Sequence, residues 1–245
     1  MKNILQVLKN LAFPLFCSHC QKPTTHSWPV LCETCFSSLE LIDIRFRCPF
    51  CFSDEISGSE KRKKTCKCCS HKELSTDYIA SAFEYEGPAK SLVRELKFKD
   101  RPYLAKSLAS FLLLQLEKLN WPLPDLITFV PQSFSKRLDR GYNQSELLAI
   151  ELAKLIQSAV YGTLKKNSGL IPQAQLVLKD RKALSSSAFT FNHKLKGKNS
   201  IEDKVVLLID DVYTTGTTIE RAAYALREGY PQSIYALTLC HTEPY

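Results

Sequence analysis

Four pairs of cysteines, each with two residues between its members, constrain the fold of this chain more than any other feature of its sequence. They are Cys17/Cys20, Cys32/Cys35, Cys48/Cys51 and Cys66/Cys69, eight of the ten cysteines in 245 residues. A Cys-x-x-Cys knuckle places two thiolates on one side of the chain, and two knuckles complete a tetrahedral zinc site. Because four thiolates leave no open coordination position, we expect two structural zinc ions.

The order of the pairs favours two tandem zinc ribbons, in which the first two pairs hold one ion and the last two pairs hold the other. The even pairing disfavours redox-active or merely buried thiols. An interleaved arrangement of the four pairs is the alternative. Cys68 is a spare thiol that can replace Cys66 or Cys69.

The amino-terminal segment does not resemble a secretion signal. Its apolar residues have helical spacing, Lys9 interrupts them, Pro14 closes the segment, and no small-residue cleavage site follows. It is also too short to span a bilayer. We therefore expect a short amphipathic helix over residues 1–16, a double zinc ribbon over 17–76, a larger domain over 77–245, and a cytoplasmic location, where cysteine clusters usually bind metal.

From residue 78 onward, apolar runs alternate with amphipathic stretches. Strands are predicted at 78–85, 126–130, 205–209 and 233–239, and helices at 89–98, 104–119, 143–158 and 217–228. Asn143, followed three residues later by Glu146, is predicted to cap its helix. Residues 160–200 are predicted to be a long excursion from the sheet. This alternation predicts an α/β domain built on a parallel sheet flanked by helices.

The segment VVLLIDDVYTTGTT, residues 205–218, combines a buried strand, an acidic pair and a loop of small hydroxylated residues. Backbone N–H groups of such a loop and of the following helix bind phosphate, and Gly216 allows close approach of the backbone. The adjacent acids, Asp210 and Asp211, repel phosphate and instead suit ribose hydroxyls or a Mg²⁺-bound sugar.

This segment resembles the motif of type I phosphoribosyltransferases at all its positions. The resemblance implies that Asp210 and Asp211 bind the ribose hydroxyls of 5-phosphoribosyl-1-pyrophosphate (PRPP). It also implies a 5′-phosphate loop made of Thr214, Thr215, Gly216, Thr217 and Thr218. Purine-salvage members carry an Asp where Thr214 stands and use it on the base, so we expect no hypoxanthine–guanine type activity.

A second segment favours the same interpretation. Val130-Pro131 ends a strand, and the cations Lys136, Arg137 and Arg140 follow, before a Gly-containing turn and a helix. Such a pattern binds pyrophosphate with its Mg²⁺. Lys97, from the motif Glu95–Phe98, completes our set of candidate pyrophosphate ligands.

Together these features are similar to those of the ComF family over nearly the whole chain. The matching motifs are Glu95–Phe98, Val130-Pro131, Arg137–Ser145, Gln173 through Arg181 to Phe189, and Asp210–Thr218. The similarity implies a role in handling single-stranded DNA during natural transformation, at the cytoplasmic side of the inner membrane, with a competence helicase or membrane DNA-channel proteins as partners. Ser168–Ile171 lacks the family's usual Arg/Thr pattern, which leaves the contact to an acceptor open.

Three functions are compatible with this sequence: a phosphoribosyltransferase acting on an unknown acceptor, a PRPP-binding protein that handles DNA, and a metabolite-switched regulator. No residue is assigned as the general base; His193 is a candidate, although a lone histidine is more often a surface residue. The basic run Lys61–Lys64 and the aromatic residues Phe50, Phe52 and Trp28 are candidate DNA contacts, with a solvated loop tip and local packing as their ordinary explanations. We predict a PRPP-binding ComF-type protein and leave catalysis open.

Overall fold

The computed structural model describes residues 16–24, 30–54, 66, 68–69, 73–167, 188–195 and 197–242. Several sequence predictions lie outside these ranges. They are the amphipathic helix over its first fifteen residues, Trp28, the basic run Lys61–Lys64, and the segment 168–187 that contains the departure from the family pattern.

The described elements alternate between strand and helix after the cysteine-rich region. In chain order they are α1 (Glu33–Ser37), β1 (Tyr78–Glu84), α2 (Gly87–Phe98), α3 (Leu104–Lys118), β2 (Leu126–Phe129), α4 (Phe134–Arg140), α5 (Gln144–Ile156), β3 (Ala159–Val160), β4 (Leu164–Lys166), β5 (Phe189–Phe191), β6 (Val205–Tyr213), α6 (Thr217–Arg227) and β7 (Ser233–His241). Each strand and helix predicted from residue 78 onward is present, with differences of up to four residues at the ends. The helix α4 was not predicted.

Five strands form one parallel sheet in the order β1-β7-β6-β2-β3. The strands β6 and β7 are central and almost entirely buried, which explains their continuous apolar runs. The helices α3 and α5 pack on each other and on the sheet, and α6 packs on β6 beside the β4/β5 hairpin. The predicted α/β fold with a parallel sheet is confirmed.

The strand β6 continues four residues beyond its predicted end. Asp210, Val212 and Tyr213 pair in register with Thr238, Cys240 and His241 of β7. The acidic pair therefore lies inside a strand, where the sheet fixes its backbone, and the loop before α6 shrinks to residues 214–216.

The cysteine-rich region is joined to the sheet through the edge strand β1. The Ile42 amide donates to the Ala82 carbonyl at 2.9 Å, and Val30, Leu31 and Ile42 are buried in the same apolar core as the sheet. This packing crosses the boundary at residue 76 that the sequence predicts; the boundary itself stays a prediction.

Among the described residues, no helix combines the length and the apolar character needed to cross a membrane.

Candidate functional site

The eight paired cysteines form two separate tetrads, one from the first two pairs and one from the last two. Within each tetrad the sulfur atoms lie within 4.8 Å of one another. Sγ–Sγ distances include 3.6 Å for Cys20–Cys32 and 3.5 Å for Cys51–Cys66. A tetrahedron with Zn–S bonds of about 2.3 Å has edges of about 3.8 Å, so both tetrads are compatible with structural zinc. The tandem arrangement is confirmed, and the interleaved one is wrong.

Of the aromatic residues predicted as candidate DNA contacts, Phe52 is buried and Phe50 is partly buried. The Phe52 ring is 1% exposed, which excludes it as a platform for a base. Phe50 stacks on Tyr78 with ring centroids 5.5 Å apart. Local packing is therefore the role of both rings here.

The acidic pair lies at the carboxyl-terminal end of the central strand β6. Asp210 accepts a hydrogen bond from Ser145 Oγ at 2.7 Å and one from the Asp211 amide at 2.9 Å. Burial, and then the charge of Asp211, raise the pKa of Asp210 to about 7, although the Ser145 hydrogen bond and Lys97 act in the opposite direction.

Lys97 links the acidic pair to a basic pocket. Its Nζ lies 2.9 Å from Asp211 Oδ1. The same lysine lines a pocket of about 730 Å³ together with Lys136 and Arg140. The structure therefore brings three of the four candidate pyrophosphate ligands together, beside the candidate ribose ligands.

The fourth candidate, Arg137, is placed differently. It lies on α4 and its Nη2 is 3.7 Å from Glu146 Oε2, and it is not among the residues that line the pocket. The sequence predicts only a basic loop here; in the structure the cations occupy a two-turn helix that ends at Gly141, whose φ is +76°.

The candidate phosphate loop ends at the amino terminus of α6. Gly216 occupies the N-cap position with φ +75° and no side-chain capping bond, a left-handed conformation that favours glycine. Thr215 Oγ1 and Thr217 Oγ1 lie 2.9 Å apart across it. A helix amino terminus bordered by threonine hydroxyls is suited to bind a phosphate group.

Residues of the Arg137–Ser145 motif mainly support the site. Asn143 caps α5 by accepting from the Ser145 amide, and its Nδ2 donates to the Val130 carbonyl at 3.0 Å. Tyr142 donates to the Leu96 carbonyl at 2.7 Å. Through these bonds α5 places Ser145 against Asp210. Ser145 belongs to a motif that the sequence contains, but only the fold shows that its hydroxyl group donates a hydrogen bond to Asp210.

Lys166 is a further cation that the sequence analysis missed. It lies on β4, its Nζ is 5.5 Å from the Phe189 ring centroid, and partial desolvation together with the charge of Lys136 lowers its pKa, while Asp210 acts in the opposite direction. Lys166 therefore lies within electrostatic reach of both halves of the site. Its sequence context, a polar excursion, gave no signal of this.

His193 lies at the opposite end of α6 from the candidate phosphate loop. Its Nε2 is 3.2 Å from Glu228 Oε2, and Glu228 is the C-cap of α6. The 11 residues of that helix separate it from the phosphate loop by about 16 Å.

The acidic pair and the loop before α6 lie in the part of the chain that is similar to phosphoribosyl transferases. The family model described as "Phosphoribosyl transferase domain" matches residues 143–243, which contain the acidic pair and this loop.

Curated relatives extend the similarity to the cysteine-rich region. The chain is 27% identical to the DNA utilization protein YhgH of Salmonella typhi over 95% of this chain and 99% of that protein. It is also 27% identical to competence protein F of Haemophilus influenzae, over 88% of this chain and 92% of that protein. The identity to competence protein ComFC of Streptococcus pneumoniae is 27% as well, over 85% of this chain and 86% of that protein. These relatives confirm the resemblance to the ComF family.

Solved structures are similar to part of the chain. The glutamine PRPP amidotransferase of B. subtilis matches 57% of this chain with 21% identity and a TM-score of 0.38, and the chain spans 26% of that protein's length. A hypoxanthine phosphoribosyltransferase of Staphylococcus aureus matches 58% of this chain, and 64% of its own, with 20% identity and a TM-score of 0.33. The fold assignment rests on the strand order and the family model.

Proposed function

We propose that the chain binds PRPP with Mg²⁺ at the carboxyl-terminal edge of its sheet. The observation that carries this proposal is the acidic pair Asp210–Asp211, held near the carboxyl-terminal end of β6, a short loop before the Gly216-capped helix. Carboxylates accept hydrogen bonds from ribose hydroxyls, and the helix amino terminus favours the dianionic 5′-phosphate. One molecule of PRPP presents both groups on the same sugar.

The pocket lined by Lys97, Lys136 and Arg140 is the proposed pyrophosphate site. Two lysines and a guanidinium provide charge-assisted hydrogen bonds to phosphate oxygens. The carboxylates are oxygen ligands of the type that Mg²⁺ prefers, and a bound Mg²⁺ would neutralise part of the pyrophosphate charge. Lys97 contacts Asp211 and lines the pocket, so it would hold the sugar and pyrophosphate ends in one orientation.

Titration calorimetry with PRPP and Mg²⁺ tests this proposal. We expect micromolar binding by the wild type and a loss of at least about tenfold in Asp210→Asn/Asp211→Asn, because neutral amides lose the charge-assisted bonds. The matched control is Glu202→Gln/Asp203→Asn, which neutralises two carboxylates immediately before the same strand. Equal affinity of the wild type and the Asp210/Asp211 variant would contradict the proposed site.

We propose further that this PRPP-binding protein handles single-stranded DNA. The names of the relatives, DNA utilization protein and competence protein, support this. So does α4, on which Phe134 and Leu138 are 75% and 68% exposed beside Lys136 and Arg137. Exposed aromatic and cationic side chains bind single strands by stacking and by charge.

Fluorescence anisotropy with a labelled oligonucleotide tests the DNA proposal. Phe134→Ala and Lys136→Ala/Arg137→Ala should weaken binding, and the double charge variant should also reduce the dependence of affinity on salt concentration. The control is Tyr224→Ala, an exposed aromatic residue on α6. An unchanged affinity in both α4 variants would exclude α4 as the DNA surface. A competence helicase, membrane channel proteins and a peripheral membrane location stay expectations from the family resemblance.

Turnover is the second candidate function. The contact of Lys97 with Asp211 favours it, because this contact joins the sugar site to the site of the leaving pyrophosphate. Catalysis would depend on positioning and on stabilising the charge that develops on that group. Release of pyrophosphate from PRPP in the presence of nucleobase, amine and nucleotide acceptors tests it. A protein that binds PRPP and releases no pyrophosphate with any acceptor class would be a binding protein or a regulator.

A further inference from the structure

The first cysteine pair of the second tetrad, Cys48/Cys51, is followed directly by an aromatic residue that reaches the sheet. Phe52 comes one residue after Cys51, its φ is +60°, and its amide donates to the Cys48 carbonyl at 2.9 Å. The knuckle therefore fixes the backbone from which the Phe52 ring projects. The ring meets His241 of β7 edge to face, with centroids 6.0 Å apart.

His241 also contacts Tyr213, the last residue of β6. It is 2% exposed, and its ring stacks on Tyr213 with centroids 5.3 Å apart and an interplanar angle of 11°. Among the described residues, His241 Nδ1 has no hydrogen-bond partner; the nearest carboxylate oxygen, Glu84 Oε2, is 3.7 Å away. His241 therefore acts here mainly as a flat ring between two others.

Tyr213 packs directly against the phosphate loop. A Cβ built on Gly216 would lie 2.4 Å from the Tyr213 hydroxyl oxygen and 2.8 Å from Cζ. The Tyr213 ring consequently occupies the space beside the N-cap of α6, where the phosphate would bind. A displacement of this ring would change the position of the loop backbone.

A second connection joins the chain that leaves the second tetrad to the first turn of α6. The Ser75 amide and Thr76 Oγ1 both donate to the Glu220 carboxylate, at 2.6 and 2.7 Å. Arg227 on the same helix donates to the Ser75 carbonyl at 3.0 Å and to Asp77 at 2.9 Å. The second ribbon is therefore linked to the phosphate loop through His241 and Tyr213, and the chain that leaves the ribbon is hydrogen-bonded to the helix that follows the loop.

We infer that Phe52, His241 and Tyr213 are positioning residues through which the second zinc ribbon sets the shape of the 5′-phosphate loop. The inference rests on the proposed PRPP site and adds that the ribbon is part of it. Three packed rings transmit position because aromatic contacts of this geometry favour one relative orientation and the surrounding core is densely packed. The pyrophosphate pocket, built on α2 and α4, lies outside this chain of contacts.

The experiment compares two probes that bind at different ends of the site: ribose 5-phosphate and inorganic pyrophosphate, each with Mg²⁺. In zinc-loaded Phe52→Ala and His241→Ala we expect the affinity for ribose 5-phosphate to fall about tenfold, as for the loss of one aromatic contact. The affinity for pyrophosphate should stay unchanged. His241→Phe retains a ring and should retain the affinity for ribose 5-phosphate.

The matched control is Phe36→Ala, which removes a partly buried phenylalanine of the first ribbon. Phe36 packs on Phe111 of α3 with centroids 6.1 Å apart, so both affinities should stay at the wild-type value. Zinc content is measured for every variant. If Phe52→Ala lowers the two affinities equally, or lowers neither, the inference is overturned and Phe52 has a structural role only.

Amide hydrogen exchange provides a readout that needs no ligand. Phe52→Ala with both zinc ions bound should exchange faster in peptides covering residues 213–220, whereas residues 126–130 of β2 should be unaffected. If the wild type binds neither probe, the proposed function fails, and the exchange result still decides whether the ribbon shapes the loop. Unchanged exchange at residues 213–220 would overturn the inference.

Discussion

At the scale of single residues, Asp210 is a proposed ribose ligand whose ionised form lowers the free energy of unfolding. Its carboxyl group is 9% exposed, and burial beside Asp211 raises its pKa to about 7. The pKa of an aspartate in an unfolded chain is about 3.9. Between these two values the folded protein holds a proton that the unfolded chain has lost, so the free energy of unfolding falls as the pH rises from about 4 to about 7.

We predict that Asp210→Asn stabilises the protein above pH 7. An amide oxygen can still accept from Ser145 and from the Asp211 amide, and the penalty for burying a charge disappears. The free energy of unfolding should rise by at most about 4 kcal/mol. The rise is smaller than this limit because Asp210 and Asp211 titrate together. Calorimetry should show a rise in Tm of at least about 3 °C at pH 8, and almost none at pH 4.

The control for this prediction is Asp203→Asn, an exposed carboxylate before β6, whose Tm should follow the wild type at both pH values. A lower Tm of Asp210→Asn at pH 8 would contradict the argument. It would mean that Ser145 and Lys97 stabilise the ionised form more than burial destabilises it.

Two features of the structure require a glycine at position 216. Its φ angle is positive, and the Tyr213 ring occupies the space that a Cβ atom would need. Gly141 has nearly the same φ, +76° against +75°, and a Cβ built on it would meet nothing within 4 Å. The two glycines therefore separate the effect of conformation from the effect of a clash.

We predict that Gly216→Ala destabilises the protein more than Gly141→Ala. The second variant should lose about 1–2 kcal/mol for a left-handed alanine. The first should lose at least about 1 kcal/mol more, because Tyr213 must move. Chemical denaturation measures both values. Equal losses of free energy of unfolding in the two variants would show that the Tyr213 ring moves aside with no energetic cost.

At the scale of elements, the helix α3 joins the cysteine-rich region to the sheet. Gln115 is fully buried, and its Nε2 donates to the Ile42 carbonyl at 3.1 Å and to the Ser81 carbonyl at 3.0 Å. One amide therefore connects α3, the edge strand β1 and the segment that covers it. A glutamine within an apolar helix face gives no indication of this from sequence, because both partners are remote in the chain.

We predict that Gln115→Leu lowers the free energy of unfolding by about 2–4 kcal/mol, since two buried carbonyl groups lose a donor. Urea denaturation measures the change. Ser110→Ala, an exposed position on the same helix, should change it by less than about 0.5 kcal/mol. A loss of under 1 kcal/mol in Gln115→Leu would mean that other donors replace the amide.

At the scale of the whole molecule, the two cysteine tetrads differ in what they support. Cys17 and Cys35 belong to the apolar core that includes the sheet. Cys48, Cys51 and Cys66 form a separate small cluster. A structural metal contributes to folding in proportion to the packing that it organises.

We predict two zinc ions per chain and unequal effects of removing them. Cys17→Ser and Cys48→Ser should each reduce the metal content from two to one. Cys17→Ser should also lower the Tm of the main transition by about 5 °C or more, and Cys48→Ser by clearly less, because its tetrad lies outside the main core. Elemental analysis and calorimetry measure the two effects; equal shifts in Tm would contradict the distinction.

The sequence by itself determined the parts of this protein that depend on local spacing. Each of three features can be recognised within a few residues: the Cys-x-x-Cys knuckles, the apolar run before Asp210 and the glycine at position 216. Metal geometry, strand burial and backbone conformation are local requirements. The predicted tetrads, the parallel sheet and the strand and helix positions follow from such patterns.

Only the tertiary structure decided how these parts combine. The continuation of β6 through Tyr213 depends on hydrogen bonds to β7, and the helix α4 appears in a stretch with no buried face. Ser145 contacts Asp210, 65 residues along the chain. Phe52 contacts His241, about 190 residues along the chain, and His241 stacks on Tyr213. Contacts of this kind arise because the carboxyl-terminal ends of parallel strands meet at one edge of the sheet, and that meeting is invisible in the order of the residues along the chain.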